Sequence, residues 1–293
     1  AFVDITGWVK DFDEAKVLAE IIKHEILIEV GEWLRCSVGI SWTKFLAKFA
    51  GDTAPKGGCL AITPNNIDEC LAIEVAAAWG IGRAMSRRLN ELKIYTLFEL
   101  KNFDPQVLRR RLGLPGYYLW CHVNGLEISQ ISSELVPPKS IGHSHCLPLK
   151  TTDKEYLLGV LYKLCDKTGR RLRQLDFEAA TVYGQFACLY NSVHHISIKR
   201  SDKIFSTNDI FNPLADFLSK TALTVAVFKM SVGVTGLSRK SNQLDLFCRK
   251  DKQDKLSQTI DQINNRFGGY TITSGLMLGM EKTAPDQIAF RKI

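Results

Sequence analysis

Several patterns are missing from this chain of 293 residues, and each absence narrows what it does. No apolar run approaches the ~20 residues that a helix needs to span a bilayer, so no membrane segment is expected. The eight cysteines (36, 59, 70, 121, 146, 165, 188 and 248) are scattered, with no C-x-x-C pair and no dense cluster. That pattern excludes a disulfide scaffold, and the thiols read as reduced cysteines of a cytoplasmic protein. His143-x-His145-Cys146 is the one ligand-like cluster, and no partner cluster stands at a structural-zinc spacing. No basic amphipathic helix stands out for a membrane surface. The chain opens at Ala1 with neither an initiating Met nor a targeting signal.

What is present is a folded composition, 45% hydrophobic, with room for two or three compact domains. The net charge of +7 exceeds what solubility needs and favours a polyanionic partner, nucleic acid before membrane. Between residues 139 and 247 there are 15 Lys/Arg against 9 Asp/Glu, so +6 of the total lies there.

The opening AFVDITG is β-prone and closes on a Thr-Gly turn, which predicts a strand. Residues 13–32 place Val17, Leu18, Ile21, Ile22, Ile26 and Ile28 at helical spacings behind an acidic first turn. A short strand over 34–41, a helix over 43–52, a Pro-Lys-Gly-Gly loop and the strand CLAIT follow, which is part of an α/β or α+β layer. From 73 to 125 the texture is short helices with basic faces. The polar, two-proline SSELVPPKS reads as a linker. Beyond it the pattern is strand, helix, two strands, helix, strand, the order of a small α+β domain with an antiparallel sheet. KLSQTIDQINNRFGG adds a helix and DQIAFRKI an extended end.

Gly80-Ile81-Gly82 looks like a helix-hairpin-helix turn, in which glycines let backbone N–H groups at a helix start approach a phosphate. A plain helix-helix turn is the other reading. Arg83, Arg87 and Arg88 just downstream favour the first; Arg109, Arg110 and Arg111 serve a second hairpin around Gly113 and Gly116 or form a solvated face. In the last domain Lys199 and Arg200, then Lys203, Lys229, Arg239 and Lys240, lie on or beside strands. Basic residues on a sheet track a sugar-phosphate backbone, or guard an exposed edge against aggregation.

GISWTKFLAKFAGDTAPKGG resembles the G-I-S-x-N-K-x-x-A-K-x-A segment of the Y-family, translesion DNA polymerases. AFVDITG resembles the end of that family's S-x-D-E-A-F-x-D-x-T motif, WGIGRAMSRRLNELKIYTLFEL its thumb, PPKSIGHS the approach to its little finger, and SVGVTGL with QLDLF that domain's closing strand and tail. Collinear matches are far more specific than any one of them. The resemblance implies an α+β chain with the C-terminal part of a palm (1–74), a helix-hairpin-helix thumb (75–130), a linker (131–139), a little finger (140–247) and a tail (248–293).

It also implies a DNA-directed DNA polymerase of damage tolerance that binds primer-template DNA and is expected to be a monomer. Lys48 and, with a one-residue shift, Lys56 match lysines near the incoming triphosphate; Pro55-Lys56 reverses the family's Lys-Pro order. Thr43 replaces the usual Asn, and Phe228-Lys229 stands where relatives often have Val-Arg, keeping a cation but losing the bidentate fork. Gly80, Gly82, Arg83, Arg87, Lys199, Arg200, Lys229 and Arg239 are the expected DNA contacts. Gln243, Leu244, Leu246 and Phe247 resemble the peptide that docks on a sliding clamp, with Leu and Phe anchors and a polar lead. The two Mg2+ ions of the family are held by an N-terminal Asp and an Asp-Glu pair before the Ala-Phe retained here. These carboxylates and the fingers are expected upstream of Ala1, with no metal residue retained, so this chain should not polymerise DNA. Asp13-Glu14 reads as helix-start charge and Asp4 as a non-ligand. Two rivals remain: a truncated, non-catalytic DNA- or clamp-binding module, and a helix-hairpin-helix repair nuclease or DNA-binding protein unrelated to polymerases, which would need its own acidic cluster.

Overall fold

The computed structural model describes residues 1–128, 131, 137–240, 249–280 and 283–285. The chain divides into two compact units, 1–134 and 135–293.

In the first unit, α1 (Phe12–Glu29) begins at Asp11, whose carboxylate accepts from the amides of Asp13 and Glu14. Then come β1 (Val38–Ile40), α2 (Lys44–Thr53) and β2 (Cys59–Ala61). β1 and β2 pair in parallel, Val38 opposite Cys59, which requires a crossover, and α2 is that crossover. Gly39 sets how closely α2 lies on β1: a Cβ there would stand 2.1 Å from both the Ala47 carbonyl oxygen and the Gly51 nitrogen. On the other side, Ala15 and Ala19 of α1 pack with Ile40 and Ala61.

The predicted opening strand is absent: only a Thr6–Val9 bridge forms there, and no described segment pairs with residues 2–4. β-propensity yields a strand only where a neighbour supplies the ladder. For the same reason the strand predicted over 34–41 contracts to Val38–Ile40, the residues facing β2.

Five short helices complete this unit: α3 (Ile67–Cys70), α4 (Arg83–Glu91), α5 (Leu97–Lys101), α6 (Pro105–Leu112) and α7 (Leu114–Val123). Their boundaries are written locally. Thr96 and Glu99 form a reciprocal capping box on α5, and Asp104 caps α6 with Pro105 in the first turn. Phe45, Leu46 and Phe49 of α2 share one core with Leu89, Leu97, Leu100, Leu108 and Val123, so α2 belongs to the layer and the helical cluster alike.

The second unit runs β3 (Ser140–Thr151), α8 (Lys154–Gln174), β4 (Phe177–Cys188), β5 (Val193–Ile204), α9 (Thr207–Lys220), β6 (Val227–Thr235), β7 (Ser238–Arg239) and α10 (Arg249–Phe267). The antiparallel sheet has the order β3-β6-β4-β5, with β7 paired to the start of β4. Leu157, Val160, Leu161 and Leu164 of α8, with Ile210, Leu214 and Leu218 of α9, bury Val182, Phe186, Met230, Val232 and Val234 on one face of the sheet.

α8 is also covered away from the sheet. Arg173 Nε and Nη2 donate to the two Asp261 oxygens of α10 at 2.5 and 3.0 Å. The buried Lys163 ammonium donates to the Met280 carbonyl at 2.7 Å, and Lys167 to that of Ala284. Gly159 lies against the Leu276 carbonyl and Met280.

Candidate nucleic-acid interface

The first candidate surface is the pair of glycine turns in the first unit. Gly80 takes φ +87°, a conformation that glycine adopts without strain, and Gly82 is the N-cap of α4. Ile81 between them is buried, anchoring the turn, whereas both glycines are open: a Cβ on either would meet nothing within 4 Å. The element ahead of the turn is a 3-10 turn (Val75–Ala77), not the full helix a hairpin suggests. With no side chain capping α4, its first N–H groups face outward beside the exposed Arg83. Arg87 is exposed, with Glu91 3.9 Å away. Arg88 Nη2 donates to the Arg111 carbonyl at 2.8 Å, tying α4 to the end of α6. Gly113, at φ +74°, joins α6 to α7, while Gly116 is a packing glycine: a Cβ there would lie 2.5 Å from Leu112 Cβ. Arg109, Arg110 and Arg111 are exposed on the last turn of α6.

The second surface is the sheet face turned away from α8 and α9. Directly paired residues of an antiparallel sheet share a face, so the registers lay it out in four rows. Lys199, Thr181, Thr235 and Ser140 form the first row, and Ser197, Tyr183, Gly233 and Gly142 the second. His195, Gln185, Ser231 and Ser144 form the third, and Val193, Ala187, Lys229 and Cys146 the fourth. No carboxylate stands in any row. Lys199 and Lys229 lie near opposite corners, neither in an ion pair among the described residues.

The other two cations expected on this surface are elsewhere. Arg200, one residue from Lys199, points to the opposite face by strand alternation, where Nη1 donates to the Asp209 carbonyl at 3.4 Å. Arg239 covers the ring of Phe177 at 4.7 Å and donates to the Leu175 carbonyl. Lys203 is held by Ser238 and Glu178, and Lys240 lies over Phe205. Tyr183 and Gln185, not singled out from the sequence, belong to the polar face; the alternation in ATVYGQFACLY carries that signal.

Lys48 lies mid-way along α2 and Lys56 three residues beyond its end. Lys48 pairs with Asp52 one turn on, and Lys56 is exposed in a loop fixed by Ser37, whose hydroxyl donates to the Pro55 carbonyl and accepts from Gly57 N. The carboxylates at the start of the chain are spent locally. Asp4 accepts from the Thr6 hydroxyl and amide, which hold its carboxyl below the ordinary value. Asp13 pairs with Lys16, and Glu14 accepts from Lys10 N. Among the described residues no group of three or more His, Cys, Asp or Glu is placed to hold a metal ion, so these carboxylates do not fit a two-metal site. Gln243, Leu244, Leu246 and Phe247 lie outside the described residues.

Two family models match, the impB/mucB/samB family over residues 1–52 and its C-terminal domain over residues 138–246. The DNA polymerase IV of Clostridium kluyveri is 30% identical over 96% of this chain and 73% of its own length. The chain belongs to the Y-family DNA polymerases. DNA polymerase IV 2 of Bacillus subtilis is 31% identical over 92% of the chain and 68% of its own length. A solved Y-family polymerase chimera of Dbh and Dpo4 superposes with a TM-score of 0.63 at 23% identity, covering 81% of this chain and 69% of that one, a likeness of fold. Y-family polymerases act in translesion DNA synthesis and depend on divalent metal. No helix among the described residues is long and apolar enough to cross a membrane.

Proposed function

We propose that this chain is the DNA-gripping portion of a translesion polymerase: thumb (75–130) and little finger (140–247) hold primer-template DNA, and the partial palm (1–74) presents Lys48 and Lys56 toward the incoming triphosphate. The observation that carries the reading is the four paired rows of the second unit's sheet, which hold no carboxylate and a cation near either end, in a chain of net charge +7. Such a surface releases counterions from DNA and binds with a steep salt dependence. The glycine turns add backbone N–H groups that read phosphate and not sequence.

The 293 residues alone bind DNA and add no nucleotide, because their carboxylates at Asp4, Asp13 and Glu14 are committed to neighbours. Gln243, Leu244, Leu246 and Phe247 dock the protein on a sliding clamp, and the chain works as a cytoplasmic monomer.

The test is primer extension with Mg2+ on undamaged and abasic templates, beside a salt titration of primer-template binding by the same purified chain. Steep salt dependence without extension is the expected result. Nucleotide addition would return Asp4 and the Asp13-Glu14 pair to the catalytic site. Absence of binding would overturn the grip itself.

A further inference from the structure

Tyr183 sits in the second row of the polar sheet face, over two glycines. Its register partner on β6 is Gly233, and Gly233 is paired in turn with Gly142 of β3. The two glycines leave a trough across the sheet, and the phenol lies in it. A Cβ on Gly233 would be 2.2 Å from the Tyr183 hydroxyl oxygen and 2.3 Å from Cζ, and one on Gly142 would be 3.2 Å from that oxygen. The ring therefore leans from β4 over β6, and its hydroxyl reaches toward β3. Tyr183 remains half-exposed, and no described residue hydrogen-bonds its hydroxyl.

The position is as particular as the pose. With strands ~4.8 Å apart and two residues rising ~6.8 Å, Lys199 and Lys229, two strands and three rows apart, are separated by about 23 Å across the face. Tyr183, one strand and one row from Lys199, falls within about half a row of the line joining them. Gln185 on the same strand lies as close to that line on its other side, so Tyr183 is the one aromatic side chain on β4 and β6 along the path between the two cations.

We propose that Tyr183 is a positioning residue for DNA on this sheet. Its hydroxyl donates a hydrogen bond to a phosphate oxygen of the strand that runs from Lys199 to Lys229, and the glycine trough holds the ring flat so that the backbone can approach. The proposal rests on the reading of this face as DNA-binding. The contact is a neutral donor to a charged acceptor, so it adds affinity and fixes the strand's lateral position without releasing a counterion.

The two ideas separate in one experiment. Anisotropy titrations of a labelled primer-template with the whole chain, at several salt concentrations, compare Lys199→Ala, Lys229→Ala and Tyr183→Phe. Each lysine variant is expected to flatten the slope of log K against log salt by about 0.9. Tyr183→Phe keeps the ring in its trough and the fold intact, which a thermal melt verifies. It is expected to weaken binding about five-fold or more with the slope unchanged, a split that a merely structural role does not produce. Binding within two-fold of wild type for Tyr183→Phe, with the lysine variants behaving as stated, overturns the tyrosine contact and leaves the DNA face standing. Unchanged affinity and slope in both lysine variants overturns the DNA face, and the tyrosine contact with it.

Discussion

Gly39 and Gly51 face one another across the seam between β1 and α2, and the seam is asymmetric enough to predict opposite outcomes for the same substitution on its two sides. A methyl group at Gly39 meets the Ala47 oxygen and the Gly51 nitrogen at 2.1 Å, where ordinary contact begins near 3.4 Å. α2 would have to retreat by at least 1.3 Å, the difference of those two distances. Both obstructing atoms are backbone, so no rotamer change relieves the clash. Overpacking of this kind costs typically 1–3 kcal/mol, and with no side chain to yield, Gly39→Ala should cost about 3 kcal/mol or more. From the other side, a Cβ on Gly51 comes only within 3.3 Å of Gly39 N, a matter of a few tenths of an ångström. Ala also gains about 1 kcal/mol over Gly inside a helix, so Gly51→Ala should stay within about 1 kcal/mol of wild type. All five tryptophans (8, 33, 42, 79 and 120) lie in the first unit, so their fluorescence follows that unit alone through a urea titration. A Gly39→Ala midpoint equal to wild type, or a Gly51→Ala variant weaker than Gly39→Ala, would refute the reasoning.

Other predictions concern caps, buried charge and pH. Asp261→Ala removes the carboxylate that Arg173, 5% exposed, contacts through two nitrogens, and should destabilise the second unit by about 3 kcal/mol in a CD-monitored melt; a loss below about 1 kcal/mol would show the pair to be idle. Thr96→Ala removes one half of the α5 capping box and should cost about 1 kcal/mol by tryptophan fluorescence, whereas no change would mean Glu99 suffices alone. His122, through burial, and His145, through burial and then the Lys167 and Lys163 charges, are both held below their ordinary 6.5. The unfolded chain takes these protons first, so the stability from each is complete above about pH 6.5 and declines as pH falls below it. His145 Nε2 also accepts from Ala284 N at 3.3 Å, and His145→Gln should flatten the decline for the second unit; identical acid profiles for variant and wild type would refute the assignment.

Element identity followed from local chemistry wherever that chemistry was self-sufficient. The helices α1, α2, α8 and α9 announce themselves by apolar spacing and by Asp, Thr or Ser caps, and the succession of strands and helices along the second unit by alternation and turns. AFVDITG did not become a strand because a ladder is a property of two segments and only one can be read at a time. On the sheet, alternation puts Lys199 and Arg200 on opposite faces, a parity that a tally of basic residues does not carry. The destinations of Arg239, over Phe177, and of Lys163, at the Met280 carbonyl, were beyond reach, since each depends on a partner 62 or 117 positions away.

Arg88 has a thermodynamic consequence. By donating to the Arg111 carbonyl it joins the helix after one glycine turn to the helix before the other, so the spacing of the two turns is set when the chain folds. A ligand meeting them loses little of the protein's freedom, because that ordering was completed beforehand. Calorimetry of the complex should therefore show a small heat-capacity change, the mark of a surface that engages DNA without folding upon it or burying much apolar area.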